Sequence, residues 1–347
     1  GCADWTIHDE IGSNTKIRVI VKNAPTTVED ITTTAFKIVG RITAITGPVT
    51  DEVWYAEDTT RKIKWTATGT VTNVNIDYYD GSGWQNIVTN HAGHTAGANE
   101  YTWTSIPIAT KTEGAKVRVI ATAYPSETNL TMPTTFRIRP KIVVSDPVVG
   151  QQLIVGTTYN NLIKWTQTQG NAVSFVDVYY STSGGTSYVA TAIAENVAVG
   201  DGVAGINWTI PDAIGANVVV KVQDREAGFS NVNGVSPVFK IKGGLILSAP
   251  SDGTTWYSNI SQNIQWTSTG TYATVKAYYD LDSTTPNDWV EIGTAARADG
   301  LIAWTPPTTV TNKARVKITN TADETDVNSS NSADFKLSAR FDVSANS

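Results

Sequence analysis

The strongest constraint on the fold is a four-residue motif that returns at an interval of about 100 residues. It reads Ile-Lys-Trp-Thr at 63–66 and at 163–166, and Ile-Gln-Trp-Thr at 264–267. Trp65 and Trp165 are 100 residues apart, and Trp165 and Trp266 are 101 residues apart. Two more motifs follow in each repeat, at Tyr101–Thr104, Asn207–Pro211 and Ala303–Pro306, and at Phe136–Ile138, Phe239–Ile241 and Phe335–Leu337. A fixed period of this kind indicates tandem copies of one structural unit.

Within each repeat, apolar and polar residues alternate as they do in half-buried strands. Ile63 and Trp65 fall on one face of their segment, and Lys64 and Thr66 fall on the other. The first repeat contains seven such segments, at Ile42–Ile45, Arg61–Ala67, Asn73–Tyr79, Trp84–Thr89, Tyr101–Ile106, Ala115–Ala123 and Thr134–Arg139. Seven short alternating strands in about 100 residues predict an all-β fold of tandem immunoglobulin-like β-sandwiches.

The repeat predicts the domain boundaries. We expect complete immunoglobulin-like domains at residues 41–140, 141–243 and 244–338. Residues 1–40 match the second half of a repeat, because Trp5-Thr6-Ile7 aligns with Trp208-Thr209-Ile210, and residues 339–347 match a first strand. We therefore expect the chain to be part of a longer protein. The junctions near Gly40, Pro140 and Gly243 lack a Gly/Ser tether, which predicts a semi-rigid rod.

Composition excludes several classes of function. The net charge of −6 and the interspersed acidic and basic residues argue against a nucleic-acid partner. No stretch reaches the roughly 18 apolar residues of a membrane span. The single cysteine, Cys2, leaves no internal disulfide framework. A surface rich in Thr, Ser, Asn and Gly favours an extracellular location at the cell surface.

The motifs of the first repeat also resemble a known family. Their order is Ile-x-Trp-Thr, Val-x-Ile-x-Tyr-Tyr-x-Gly-x-Gly-Trp, Tyr-x-Trp-Thr-x-Ile-Pro, Val-Arg-Val and Phe-x-Ile. This order resembles the immunoglobulin-like repeat of the Ser/Thr-rich, cell-wall-synthesis-like domain family, which occurs in fungal wall proteins and in tandem in large bacterial surface (S-layer-like) proteins. The resemblance implies a surface protein and supplies no catalytic residue. The second repeat departs from it at Ser181–Gly185, and the third lengthens the same hairpin to Asp280–Asp288.

Acidic residues in these hairpins are the first candidates for chemistry. Asp80-Gly81-Ser82-Gly83-Trp84 is similar to an Asp-box and offers a carboxylate to calcium, but Asp and Gly are also what a tight hairpin requires. Asp280, Asp282 and Asp288 form a richer oxygen cluster. Calcium needs six to eight oxygen ligands, so a turn and solvated loop acids are the favoured interpretations.

Histidine and cysteine provide weaker candidates. His91 and His94 could reach one metal ion, but zinc needs three or four ligands, and an exposed polar loop is favoured. His8 stands where the other repeats carry proline, which indicates a turn substitution. Gly1-Cys2 suggests a lipoprotein site, although Cys2 falls in the middle of a repeat.

Aromatic residues could stack on sugars or fill the core. The repeat predicts core positions for Trp5, Trp65, Trp103, Trp165, Trp208, Trp266 and Trp304. A sugar-stacking ring would be among Trp54, Trp84, Trp256 and Trp289. Glycosylation sequons begin at Asn129, Asn207, Asn259 and Asn328.

The sequence favours a structural role outside the cell. We expect the repeat region of an S-layer, sheath or fibre subunit that self-assembles through domain–domain contacts and is not an enzyme. No catalytic, cofactor or metal site is expected, although calcium bridging neighbouring carboxylates is an alternative. The expected partners are copies of the chain itself, with cell-wall glycans as a second class. Alternative functions are an adhesin or carbohydrate-binding stalk, or the accessory region of a secreted enzyme.

Overall fold

A computed structural model describes residues 2–23, 28–285, 288–331 and 333–341. The chain divides into two compact units. The first contains the residues up to Val143 together with Gln167–Val176 and Gln223–Gly234. The second contains Val144–Thr166, Asp177–Val222 and the residues from Val235 onward. The predicted domain boundaries therefore stay predictions.

The first unit begins with four short strands: β1 (Gly12–Thr15), β2 (Arg18–Ile20), β3 (Glu29–Ile31) and β4 (Phe36–Ile38). They form two separate antiparallel pairs, β1 with β4 and β2 with β3. The repeat places Trp5 at a core position, but because residues 1–38 match only the later strands of a sandwich, its apolar face is expected to lack a partner within this chain. In the structure the Trp5 side chain is 50% exposed and contacts Phe36 edge-on. Ile17 and Val19 are also exposed. No strand in the described residues covers this face.

The first complete sandwich has nine strands, which are β5 (Arg41–Gly47), β6 (Val53–Tyr55), β7 (Arg61–Thr68), β8 (Asn73–Tyr79), β9 (Trp84–Ala92), β10 (Gly97–Trp103), β11 (Thr112–Ala121), β12 (Asn129–Thr131) and β13 (Phe136–Arg139). One sheet has the order β10-β7-β5, and the other has the order β6-β13-β11-β8-β9 with β12 beside β11. The pair β6 and β13 is parallel. All seven predicted strands are present, and β6 and β12 are additions.

One predicted strand is displaced along the chain. The alternation at Tyr101–Ile106 predicts a strand there, whereas β10 begins at Gly97 and ends at Trp103. The Trp103 indole N–H donates to the backbone carbonyl of Ser105 (3.0 Å), so the chain turns directly after the tryptophan. Pro107 follows this turn and cannot donate to a sheet.

The core of the first sandwich lies between its two sheets. Ile63 and Trp65 of β7 are fully buried, as are Val117 and Val119 of β11. The alternation of β7 places Lys62 and Lys64 on the exposed face. Trp54 is also buried and packs against Phe136, with ring centroids 5.0 Å apart. Aromatic side chains thus fill part of the space between the two sheets.

The second unit carries most of the second sandwich and all described strands of the third. The strands of the second are β14 (Lys141–Asp146), β15 (Gln152–Ile154), β16 (Thr158–Gln169), β17 (Phe175–Ser181), β18 (Ala194–Ala198), β19 (Ile206–Thr209), β20 (Gly215–Asp224), β21 (Asn233–Val235) and β22 (Phe239–Lys242). Those of the third are β23 (Gly244–Ala249), β24 (Thr255–Tyr257), β25 (Gln262–Thr269), β26 (Thr274–Asp280), β27 (Val290–Ala296), β28 (Leu301–Trp304), β29 (Thr311–Asn320), β30 (Asn328–Ser330) and β31 (Phe335–Ser338).

Both sandwiches repeat the topology of the first. Their smaller sheets have the orders β14-β16-β19 and β23-β25-β28, and their larger sheets have the orders β15-β22-β20-β17-β18 and β24-β31-β29-β26-β27. Short 3-10 turns at Val199–Val203 and Arg297–Asp299 precede β19 and β28. Trp165, Trp208, Trp266 and Trp304 are buried, as their place in the repeat predicts. The all-β fold of tandem immunoglobulin-like sandwiches is confirmed.

The end of the chain departs from expectation where it is described. Residues 339–341 form no strand, and Phe341 is 88% exposed. The remainder of the first strand predicted for residues 339–347 lies outside the described residues. Among the residues that are described, no helix is long and apolar enough to span a membrane.

Candidate functional site: the joints between sandwiches

A joint is defined here as the place where the last strand of one sandwich passes into the first strand of the next, near Gly40, Pro140 and Gly243. A turn glycine that follows the central tryptophan strand lies against the connecting residue of each joint. These pairs are Gly69 with Gly40, Gly170 with Pro140, and Gly270 with Gly243. The turn glycines have φ values of +71°, +77° and +85°. A side chain would therefore be strained and would also meet the connecting residue.

At each of two joints, an aspartate carboxylate accepts two hydrogen bonds from one threonine. Asp9 accepts from the backbone N–H and the hydroxyl of Thr70, both at 2.7 Å. Asp212 accepts from the backbone N–H of Thr271 at 2.9 Å and from its hydroxyl. These bonds lower the pKa of both carboxyl groups, because they stabilise the charged form. The threonine directly follows the turn glycine, so the bonds hold that turn against the segment that contains the aspartate.

The joint near Pro140 replaces this carboxylate with other groups. Ile108 stands at the position of Asp9 and Asp212, and its backbone carbonyl accepts from the Asn171 N–H at 2.9 Å. The Glu57 carboxylate accepts from the Gly170 N–H at 2.9 Å. The backbone geometry of the joint is therefore kept although its acceptors differ.

Lysine–carboxylate pairs provide a second set of contacts at the first and third joints. Lys37 of β4 contacts Glu127 at 2.7 Å. Lys240 of β22 contacts Asp323 at 2.7 Å and Asp326 at 2.5 Å. The hydrogen bonds that Lys240 donates to these carboxylates raise the pKa of Lys240, and the one that Lys37 donates to Glu127 raises the pKa of Lys37. All of these side chains retain access to solvent, so each pair contributes little to stability.

The pair at the middle joint is different because it is buried. Lys111 Nζ lies 2.7 Å from Asp224 Oδ2 and 2.6 Å from Glu226 Oε2. The side chains of Lys111 and Asp224 are only 7% and 2% exposed, and that of Glu226 is 60% exposed. The ring of Phe229 covers the ammonium group at 4.4 Å. Sequence reasoning missed this cluster, because Lys111 and Asp224 are 113 residues apart and no motif contains them.

The hairpin at Asp80–Trp84 is built as a turn. Asp80 Oδ1 accepts from the N–H groups of Ser82 and Gly83 at 2.8 Å, and Oδ2 accepts from the Gln85 amide at 3.0 Å. Burial raises the pKa of Asp80, but these hydrogen bonds outweigh it and lower the pKa to about 2. The carboxylate oxygens are thus already used within the hairpin, which supports the turn interpretation.

The other two hairpins differ in chemistry. Ser181 Oγ accepts from the N–H groups of Ser183 and Gly185 in the second sandwich. In the third, burial raises the pKa of Asp280 and the nearby charge of Asp288 adds to this effect, while the Asp282 N–H opposes it. Across the described ranges, no group of three or more His, Cys, Asp and Glu side chains is arranged to hold a metal ion.

The structure brings His91 and His94 together, but not in an exposed loop. Their ring centroids are 4.9 Å apart, and His94 packs against Trp65 at 4.8 Å. The predicted exposed loop is therefore wrong for His94, which is only 5% exposed. Burial lowers the pKa of His94, and the neighbouring His91 lowers it further. Within the described part of the chain, His94 Nε2 and Trp65 Nε1 are buried without a hydrogen-bond partner. His8 and Cys2 are exposed.

The remaining candidates are also located. Trp54 and Trp256 are buried, so they cannot present a ring to a sugar. Trp84 and Trp289 are half-buried, and their rings are approached by Arg118 at 4.4 Å and Lys317 at 4.7 Å. Among the sequon asparagines, the side-chain amides of Asn129 and Asn328 donate to backbone carbonyls of the preceding turns, and Asn207 Oδ1 accepts from the Asn161 N–H.

Comparison with known proteins assigns no family. No family model matches the chain, and no curated protein matches it. Among solved structures, the chain is similar to a titin I-band fragment, at 9% identity over 86% of this chain and 99% of that one, with a TM-score of 0.26. It is also similar to three N-terminal domains of the bacteriophage RB49 highly immunogenic outer capsid protein, at 12% identity over 82% and 96%, with a TM-score of 0.25. A third similarity is to fibronectin(III)-like modules of Clostridium thermocellum CbhA, at 18% identity over 57% and 94%, with a TM-score of 0.20.

Proposed function

We propose that this chain is a structural repeat region of an extracellular surface protein, such as an S-layer, sheath or fibre subunit, and that it does not act as a catalyst. The observation that carries the proposal is the repeated construction of the joints. Asp9–Thr70 and Asp212–Thr271 form the same pair of bonds at two separate joints. A repeat that specifies the connection as well as the sandwich suits a load-bearing or lattice-forming protein.

The sandwich surfaces support assembly through several distinct contacts. The hairpins after β8, β17 and β26 differ in length and charge, whereas the cores that carry them agree. Different surfaces on similar scaffolds suit specific lateral contacts between copies rather than one repeated ligand site. Divalent cations such as calcium would bridge carboxylates of neighbouring copies. The motif resemblance to the Ser/Thr-rich, cell-wall-synthesis-like family is consistent with this role.

Electron microscopy of the purified protein, with and without millimolar calcium, tests the proposal. We expect ordered arrays or fibres that weaken when a chelator removes the cation. Dispersed monomers under every ionic condition contradict the structural role. Electron microscopy of the native cell surface then shows whether the same lattice spacing occurs outside the cell.

One observation favours an adhesin or carbohydrate-binding stalk as a second candidate. The loop between β17 and β18 leaves an open groove of about 670 Å³ in the second unit, lined by Tyr180, Thr191, Asn207 and Thr209. Hydroxyl and amide groups beside an aromatic ring are suitable for a sugar. Titration with cell-wall oligosaccharides, read by tryptophan fluorescence, separates the two roles. Tight saturable binding that a Tyr180→Ala variant loses favours the adhesin.

A further inference from the structure

The buried cluster at the middle joint has the composition of a self-crosslinking site. It contains a primary amine, Lys111 Nζ, a carboxyl group, Asp224, and a second carboxylate, Glu226, that touches the same nitrogen. We propose that Lys111 and Asp224 condense to an amide bond and that Glu226 transfers the protons. The product would be a covalent staple between residues 113 positions apart, which goes beyond the structural role proposed above.

Burial supplies the driving force. Holding an ammonium and a carboxylate out of water costs free energy, and replacing the ion pair by a neutral amide would relieve that cost. The side chains of Lys111 and Asp224 are 7% and 2% exposed. Phe229 lies against the ammonium group at 4.4 Å and limits the approach of water. Amide formation removes both charges. Because the fold already holds the two groups in contact, the reaction is intramolecular and needs no bimolecular encounter.

The hydrogen bonds place each reacting atom. Asp224 Oδ2 lies 2.7 Å from Lys111 Nζ, while Oδ1 accepts from the Glu226 backbone N–H at 3.0 Å. That N–H would stabilise negative charge on Oδ1 as the nitrogen adds to the carbon, as an oxyanion-hole donor does. Glu226 Oε2 lies 2.6 Å from Nζ, within reach for proton transfer.

The reaction balances without another reagent. One proton moves from Lys111 Nζ to Asp224 Oδ2, which gives an amine and a carboxylic acid. The nitrogen lone pair forms a bond to Asp224 Cγ, and the C=O electron pair moves to Oδ1. Glu226 removes a second proton from the nitrogen and delivers it to the Oδ2 hydroxyl. The C–Oδ2 bond breaks, water leaves, the C=O bond re-forms, and Glu226 returns to its carboxylate.

The third joint provides an internal control. Lys240 also contacts two carboxylates, Asp323 and Asp326, at similar distances. Its side chain and those of its partners are 24–28% exposed, so their charges remain solvated. The proposal therefore assigns the amide to Lys111 and leaves Lys240 unmodified.

Mass spectrometry of the purified chain tests the proposal directly. We expect an intact mass below the sequence mass by one water, about 18 Da, and a branched proteolytic peptide joining residues 111 and 224. Lys111→Arg and Asp224→Ala should each restore the full sequence mass. Glu226→Gln, at a side chain that is 60% exposed and tolerant of substitution, should fold and form the bond at least about tenfold more slowly.

The opposite results are equally clear. A wild-type chain that keeps its full sequence mass after days of incubation, between about pH 5 and pH 8, contains only an ion pair, and the proposal is wrong. A loss of water that maps to Lys240, or that persists in Lys111→Arg, also overturns it. Unchanged bond formation in Glu226→Gln removes the role assigned to Glu226.

Discussion

Asp9 accepts both the backbone N–H and the hydroxyl of Thr70, a residue 61 positions later in the chain. Asp212 and Thr271, 59 positions apart, repeat this relationship in the other compact unit. Both aspartates follow the second tryptophan motif, and both threonines follow a turn glycine. The repeat therefore encodes the joint as part of its own sequence.

Removing one joint carboxylate should release only the amide that it binds. Asp212→Ala deprives the Thr271 N–H of its acceptor, and we expect exchange of that amide to accelerate about five- to tenfold, as for the loss of one exposed hydrogen bond. Hydrogen exchange with peptide fragmentation measures this. Asp9→Ala is the matched control, because it should accelerate exchange of the Thr70 amide and leave exchange of the Thr271 amide unchanged. Equal rates in wild type and variant would show that the bond does not protect the joint.

The same amide should respond to acid. The pKa of Asp212 is lower in the folded chain than in the unfolded chain. The ionised carboxylate therefore stabilises the joint fully at any pH above the unfolded-state pKa. This stabilisation is lost as the pH falls through the lower, folded-state pKa. Protection of Thr271 should decline over that range in the wild type and be independent of pH there in Asp212→Ala.

Adding a side chain at a joint glycine should lower the free energy of unfolding by more than the strain of its positive φ accounts for. Gly270 has a φ of +85°, and a Cβ atom there would lie 3.1 Å from the Ile214 side chain and 3.2 Å from Val155. Gly253 has a φ of +73° with no atom within 4 Å of such a Cβ. We expect Gly270→Ala to destabilise the third sandwich by about 2–3 kcal/mol and Gly253→Ala by about 1 kcal/mol. Segment-resolved hydrogen exchange of β25 compares them, and equal costs would mean that the joint adapts to the methyl group.

The central tryptophans should differ in the value of their indole N–H. Trp165 donates to the Val199 carbonyl at 3.0 Å, whereas Trp65 has no partner among the described residues. Trp165→Phe should therefore cost about 1 kcal/mol more than Trp65→Phe, because only the former leaves a carbonyl without its donor. Denaturant unfolding followed by exchange in β7 and β16 tests this difference. A larger cost at Trp65 would contradict it.

His94 should make the first sandwich sensitive to mild acid. Burial and the neighbouring His91 lower the pKa of His94 in the folded chain. Below about pH 6.5, His94 is therefore protonated more readily in the unfolded chain than in the folded chain. Stability should fall as the pH decreases from neutral through this range. His91 is the titratable side chain that faces it, and Tyr101 packs against His91 at 4.9 Å. The exposed Lys62 and Glu100 pair with each other on the outer face.

Hydrogen exchange of β7 and β10 at neutral and mildly acidic pH measures this effect. His94→Gln should remove most of the pH dependence, and His8→Gln, at an exposed histidine, should leave it intact. If β7 is equally protected at both pH values, or if the His94→Gln variant keeps the full pH dependence, His94 does not sense acid.

The period of the sequence was sufficient to predict the sandwiches. Strand alternation is a local property, so residues such as Ile63 and Trp65 reveal their face without knowledge of their partners. The burial of Trp103, Trp208 and Trp304 follows from the same pattern. Trp5 carries the same local signal and is half exposed, because burial also needs a covering strand and the described residues contain none.

The sequence alone thus determined the fold class, the strands of the repeat and the burial of the repeated tryptophans other than Trp5, since each is written in residues close together in the chain. It did not predict the order of the strands in each sheet or the burial of Trp54 and Trp256. Only the tertiary structure decided which groups meet at the joints and inside the loops. Lys111 contacts Asp224, which lies 113 residues later in the chain. The His94 side chain, in a polar stretch of sequence, packs against Trp65. These contacts depend on where folded strands bring distant turns, and the free energy of a buried charge or ring depends on what surrounds it there.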